Sequence, residues 1–315
     1  MICAHNISKE FAGNRALNNV SLSISEGEIF GLLGPNGAGK TTFIRILNQI
    51  FNADSGSITI NSQPLSATDV YRMGYLPEER GLYKKMKVAE QIFYFAALKG
   101  MSRHDAMREL NFWTERLQIH NWDNKKVEEL SKGMQQKIQF IVSVIHKPKI
   151  LILDEPFSGF DPVNAQRLKE EILRLKAEGM TIVLSTHNMN SVEELCDSIV
   201  LLNKSEKILD GKLSEIRQSF ARNQYRITFS GYVDTPMLAL NTSYKIIDQQ
   251  KQNSHSEFVL ELLDNCTAND VIRHCTQFGS VVSFEPVIPD MNSIFIEKVS
   301  PLNPPQGGLG AVQNM

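Results

Sequence analysis

No stretch of the 315-residue sequence approaches the roughly 18–20 consecutive apolar residues of a membrane span. The longest candidate, IQFIVSVIH, is about half that length and carries polar residues. The chain is therefore not expected to cross a bilayer. Surplus charge is also lacking: 33 Lys+Arg against 35 Asp+Glu give a formal net charge of −2, which argues against a polybasic nucleic-acid binder. The four cysteines, Cys3, Cys196, Cys266 and Cys275, show neither C-x-x-C nor zinc-type spacing, and read as reduced thiols of a cytosolic protein. The opening MICAHNISKEF has no basic start followed by an apolar core, so no secretory leader is expected. Internal repeats are absent.

What is present suits a soluble globular chain long enough for two domains, with 42% hydrophobic and 22% charged residues. Residues 1–30 alternate as strands do, most clearly in VSLSIS. IFGLLG is a buried-strand run leading into a glycine-rich loop and a helix, with Phe43, Ile44, Leu47, Ile50 and Phe51 expected on one face. GSITIN is another short strand. From about Val88 to Ile145 the pattern is helical, broken around HNWDNKK and SKG; Trp113 and Trp122 fall there and read as core. KILILDEP and MTIVLSTH are strands of the parallel-sheet type, separated by the amphipathic AQRLKEEILRLKAEG with Gly179 as its stop. Strand, helix and strand at this spacing make a βαβ unit, hence a parallel sheet covered by helices. From about Asn223 to Val299 the short strands YRITFS, EFVLEL and VVSFEPV and a helix near NDVIRHCTQF indicate a small α+β domain. Residues 300–315, rich in Pro, Gly and Gln, are expected to be disordered. His274 and Cys275 are adjacent but lack the further ligands of a metal site.

GPNGAGKTT, Gly34 to Thr42, fits G-x-x-x-x-G-K-[ST] between a strand and a helix. The glycines allow backbone N–H groups to curl around phosphate oxygens, and the helix N-terminus adds its dipole. Gly34, Asn36, Gly37, Ala38, Gly39, Lys40, Thr41 and Thr42 are thus the candidate ATP-binding loop, with Lys40 reaching the β- and γ-phosphates and Thr41 ligating Mg²⁺. At the end of the ILILD strand, Asp154 would hold the metal shell, through water or Thr41. Glu155 is placed to polarise a water for attack on the γ-phosphate. His187, in STH, ends another strand where an imidazole can hydrogen-bond that phosphate. LSKGMQQK, Leu130 to Lys137, opens a helix with Ser131 as N-cap. Gly133 is unexpected in its first turn, where glycine costs backbone entropy.

The ordered set of P-loop, LSKGMQ, LILDEP, SGFDP and STH resembles the ATP-binding-cassette (ABC) ATPases over roughly residues 1–215. The resemblance implies an α/β fold: a P-loop NTPase parallel sheet, an N-terminal antiparallel β subdomain and a helical subdomain at about 88–145, all within residues 1–217, followed by the small α+β domain at 223–299. It implies head-to-tail dimers in which Ser131 and Gly133 of one chain reach the γ-phosphate held by the other's Lys40, with Asp161 of SGFDP across the same interface. Phe11 occupies the position where the family stacks an aromatic on adenine; the plainer reading is an ordinary core or edge-strand phenylalanine. Glu78, in GYLPEERGLY, stands where the family usually has glutamine, and a carboxylate there can ligate Mg²⁺. Lys132 and Met134 replace the usual Gly and Gln of the signature.

LPEERGLY with LSKGM is similar to single-cassette exporter ATPases of the sodium- and drug-exporting kind, which commonly carry a small C-terminal domain. That similarity implies hydrolysis of ATP with Mg²⁺ and a second copy of the chain as partner. It also implies a separate integral-membrane permease docked on a helical stretch over Glu78–Lys87 and Val88–Gly100, at the cytoplasmic face of the cell membrane. No nucleic acid is expected. The alternatives are a soluble ABC ATPase acting on ribosomes or DNA, and a weakly hydrolysing nucleotide-switched regulator. Against the first, the chain has one cassette, and its P-loop and signature lie too close together for a coiled-coil arm.

Overall fold

The computed structural model describes residues 1–79, 81–119, 121–233, 243–252, 254–263 and 266–300. The tail expected to be disordered lies, from residue 301 onward, outside the described residues. The chain divides into two compact units, Met1–Leu213 and Ser214–Glu297.

In the first unit β1 (Ile2–Phe11) and β2 (Asn14–Ile24) pair antiparallel through a two-residue turn, with Ala12 and Gly13 both at positive φ. That is the twist a tight hairpin needs. With β4 (Ser55–Ile60) and β5 (Gln63–Pro64) they form an antiparallel sheet in the order β2-β1-β4-β5. The apolar runs become central strands: β3 (Ile29–Leu33), β7 (Ile150–Asp154) and β8 (Thr181–Ser185) are buried at every residue. A strand covered on both faces has no polar side, which is why these runs show no alternation. β6 (Met73–Leu76), β9 (Ser198–Asn203) and β10 (Glu206–Lys212) complete a sheet in the order β10-β9-β3-β8-β7-β6, parallel except for β10.

Helix α1 (Lys40–Leu47) is shorter than its apolar pattern. Gln49 turns left-handed at φ 57°, so Ile50 and Phe51 lie beyond the helix, and Ile50 is exposed. The helical stretch resolves into α2 (Val88–Leu98), α3 (Arg103–Arg116) and α4 (Lys132–Val144). Gly100 and the N-cap Ser102 separate the first two. Trp113 is buried against Phe140, whereas Trp122 is half-buried. No helix covers the described part of 77–87, which runs as loop and turns; Pro77 and Gly81 both disfavour one. α5 (Pro162–Ala177) starts at an Asp161 cap and stops before Gly179 at φ 92°. α6 (Met189–Leu195) follows β8.

The second unit opens in α7 (Leu213–Ser219) and is built on β11 (Gln224–Ser230), β12 (Tyr244–Gln252), β13 (His255–Leu262) and β14 (Ser280–Pro286), antiparallel in the order β12-β13-β11-β14. Alternating burial along β13 marks a sheet with one covered face. α8 (Ala268–Cys275) lends Val271 and Cys275 to a core with Ile227, Phe229, Phe258 and Leu260, and α9 (Met291–Val299) follows. Burial pushes the Cys275 thiol up to about 11, so it behaves as a small apolar side chain. β12, whose YKIIDQQKQ is largely polar, and α9 had no sequence signal.

Candidate active site

The carboxyl ends of four adjacent parallel strands converge on one edge of the large sheet: β3 leads into the P-loop, β6 into Glu78, β7 into Asp154 and Glu155, and β8 into His187. This is where open α/β sheets place ligands. A cavity of about 880 Å³ opens there, lined among others by Gly37, Lys40, Thr41, Glu78, Glu155 and His187. Asn36, Gly39, Thr42 and Asp154 also border it. Gly34 and Ala38 belong to the same loop without lining the cavity.

The P-loop turns require their glycines. Gly34 and Gly39 sit at φ 146° and 107°, and a Cβ would fall 2.3 Å from the Leu202 carbonyl oxygen and 2.4 Å from that of Ala16, respectively. No L side chain fits such positions. Lys40 donates from Nζ to the carbonyls of Gly34 at 2.7 Å and Pro35 at 3.1 Å. Burial lowers its pKa, while the Glu155, Asp154 and Glu78 carboxylates pull the other way and favour the ammonium.

Thr41 Oγ1 lies 3.4 Å from Asp154 Oδ2. Burial pushes the Asp154 carboxyl above its usual range, and Glu78 and Glu155 push it in the same direction. A cation relieves such a group. Thr41, Asp154 and Glu78 offer hard oxygen donors beside an anion-binding loop, which fits Mg²⁺, an ion that completes its shell with phosphate and water. Among the described residues no three His, Cys, Asp or Glu side chains form a ready-made metal cage.

Glu155 is in the left-handed region at φ 50°, a strained conformation for a residue with a side chain. Its N–H donates to the Ser185 carbonyl at 2.8 Å, fixing the turn after β7. Oε1 accepts from the His187 backbone N–H at 3.0 Å and lies 2.7 Å from His187 Nδ1; Oε2 accepts from Thr186 Oγ1 at 3.3 Å. Because an ionised carboxylate only accepts, the imidazole carries its proton on Nδ1, which leaves Nε2 for a second partner.

The remaining expected residues lie elsewhere. Phe11 ends β1 opposite Asn14, a lining residue, but does not itself border the cavity; it packs edge-on against Phe51 with centroids 5.3 Å apart. Ser131, Gly133 and Asp161 also stand outside the cavity. Ser131 caps α4 by accepting from Met134 N at 3.3 Å. Gly133 faces the loop before α5: an added Cβ would lie 3.5 Å from the Gly159 carbonyl oxygen and 3.6 Å from Phe160. Asp161 accepts from Asn164 N at 3.0 Å, and those hydrogen bonds hold its carboxyl below the usual range.

Two cations lining the cavity, Arg15 and Lys204, were not anticipated. They come from two hairpins locked together by Ser205, whose Oγ donates to the Arg15 carbonyl at 2.6 Å and whose own carbonyl accepts from Asn18 N at 2.8 Å. The only sequence signals were two ordinary turns nearly 190 residues apart.

Comparison with known proteins places this geometry among relatives. The family model described as ABC transporter matches residues 17–158, and that of the C-terminal domain of DrrA1-3-like ATP-binding proteins matches residues 211–299. The chain is 43% identical to the uncharacterised ABC transporter ATP-binding protein YhaQ of Bacillus subtilis, over 95% of this chain and 98% of that one. It is 36% identical to the lantibiotic transport ATP-binding protein SrtF of Streptococcus pyogenes, over 67% of this chain and 90% of the relative. Among solved structures, the dimeric bacterial ABC transporter cassette MJ0796 is similar, at 25% identity and a TM-score of 0.63, covering 68% of this chain and 99% of that one.

Proposed function

The chain belongs to the ABC transporter ATP-binding proteins and is an ATPase; on that premise we propose that it powers a separate membrane permease as an exporter subunit, through ATP-dependent head-to-tail dimerisation. The observation that carries this reading is the division of the expected residues. Lys40, Thr41, Glu78, Asp154, Glu155 and His187 surround one cavity, whereas Ser131, Gly133 and Asp161 stand apart from it. Gly133 has no local reason to be glycine, since a Cβ there would make only ordinary contacts. A second copy supplies the reason: the α4 N-terminus meets the phosphate held by the partner's P-loop.

In this reading the P-loop amides cradle the phosphates, and Lys40 exchanges the Gly34 and Pro35 carbonyls for phosphate oxygens. Thr41, Asp154 and Glu78 would hold Mg²⁺, which would supply positive charge against the phosphate oxygens. Glu155 takes the proton of the attacking water, and the Nδ1–H bond to Glu155 aims His187 Nε2 toward the γ-phosphate. Phe11, paired in its hairpin with the lining residue Asn14, stacks on the base. Closure by ATP and reopening after hydrolysis is a population shift driven by contacts that only the triphosphate makes.

The exporter role draws support from the DrrA1-3-like C-terminal match and from a relative named for lantibiotic transport. In this reading the permease is a different chain and this one works at the cytoplasmic membrane face; no described helix is long and apolar enough to cross a membrane. The exposed side chains of Tyr83, Tyr94 and Leu98 form an apolar surface on α2 and the loop before it, suited to a permease helix.

Glu155→Gln keeps the fold and removes the proton acceptor. With ATP and Mg²⁺ it is expected to elute as a stable dimer in light-scattering chromatography, and as a monomer with ADP. A monomer under both conditions would contradict the in-trans site.

A further inference from the structure

The loop that carries Glu78 has no regular structure of its own, yet two buried amides grip it. Gln139, on α4 and 3% exposed, donates from Nε2 to the carbonyls of Pro77 at 3.0 Å and Glu79 at 3.3 Å. These are the residues on either side of Glu78, so one amide group fixes both flanking peptides. Further along, Gln91, on α2 and fully buried, accepts from Tyr83 N. Both glutamines leave their other amide atom, Gln139 Oε1 and Gln91 Nε2, buried with no partner among the described residues.

α4 is fixed at the other side of the site as well. Gln136, 2% exposed, donates to the Pro156 carbonyl at 3.2 Å, just past Asp154 and Glu155. Gln139 follows Ser131 by eight positions, about 12 Å along the helix axis. One rigid element therefore joins the backbone around Glu78, the backbone after Glu155, and the helix end at Ser131.

We propose that Gln139 is a positioning residue for Glu78: it holds that carboxylate at the chain's own nucleotide site in register with the helix end offered to the partner's nucleotide. The second half rests on the in-trans reading above; the first does not. An unbranched apolar Gln139→Met keeps the volume and removes the two donors. Titrating Mn²⁺ against the full chain with ADP, followed by electron paramagnetic resonance, reads the own site in the monomer. The half-saturating Mn²⁺ concentration is expected to rise about tenfold, the equivalent of about 1.4 kcal/mol. In steady-state assays kcat falls by a similar factor, with KM for ATP within about twofold. In a Glu78→Gln background both changes disappear, because there is no carboxylate left to place. Equal losses with and without Glu78, or no change in Mn²⁺ affinity, would overturn the proposal.

Gln139→Glu gives an independent reading should the Met variant fail to fold. Its carboxyl donates only when protonated, so its Mn²⁺ affinity relative to wild type is expected to worsen as pH rises through the carboxyl range. A constant ratio would count against the clamp. If Glu155→Gln fails to dimerise while these Mn²⁺ effects appear, the in-trans site is withdrawn and the Glu78 clamp stands.

Discussion

An alanine at Gly133 would gain about 1 kcal/mol of helix propensity and meet nothing closer than the Gly159 carbonyl oxygen at 3.5 Å. Gly133→Ala is therefore expected to fold with a melting temperature equal to or slightly above wild type, yet to lose ATP-dependent dimerisation and at least about tenfold in kcat, a barrier change of about 1.4 kcal/mol. Thermal melts and steady-state assays on one preparation check both halves; a variant that stays fully active would mean Gly133 never meets phosphate. The P-loop glycines are the opposite case. Gly34 and Gly39 are demanded by positive φ and by carbonyls 2.3–2.4 Å from any Cβ, and so were legible as a spacing in the sequence. Arg15 and Lys204 were not legible, because what brings them to the cavity is a bond between two distant hairpins. Gln139 was hidden for a similar reason: in sequence it is one more good helix former, and only the loop it reaches gives it meaning.

Among the elements, the central strands were the easiest to read, since ILILD and TIVLS have a single environment on both faces. Helix ends depended on caps: Ser131 and Gly179 were visible, whereas the left-handed Gln49 that ends α1 was not, because nothing in an apolar run announces it. The stretch 78–87 was expected to be helical; its described residues are loop and turns, tied by glutamines of two helices and by a hydrogen bond from Met86 N to the Tyr83 carbonyl. The turn after α4 contains a second buried tie. His146 Nε2 lies 3.0 Å from the Met73 carbonyl oxygen in β6, while Nδ1 is buried with no partner among the described residues. Burial lowers its pKa to about 4, so the folded chain keeps it neutral where the unfolded chain, near 6.5, takes up a proton. Stability from this residue is complete above about pH 6.5 and is lost as pH falls toward 4, by on the order of 3 kcal/mol. Urea titrations at pH 7 and 4.5 are expected to show a steeper acid loss for wild type than for His146→Gln. Parallel losses would show that His146 does not carry the term.

For the whole molecule, the order of motifs along the chain carried more information than any element, because the strand ends that converge in space are spread from Gly34 to His187 in sequence. The C-terminal unit was legible only as a change of character. Its polar strand β12 follows from pairing with β13 and from packing Tyr244 and Ile246 on the core that β11 and β13 supply. The central claim is that each nucleotide site is assembled from two chains, and it is tested most directly by complementation. In a Glu155→Gln background, Lys40→Ala removes the P-loop cation and Ser131→Arg blocks the helix end. Alone, each is expected to remain monomeric with ATP and Mg²⁺ in light-scattering chromatography. Mixed one to one, they are expected to form a heterodimer holding one ATP, because one intact P-loop then faces one intact Ser131. A mixture that stays monomeric while the parent Glu155→Gln chain dimerises, or a Ser131→Arg chain that dimerises as readily as its parent, would contradict the account.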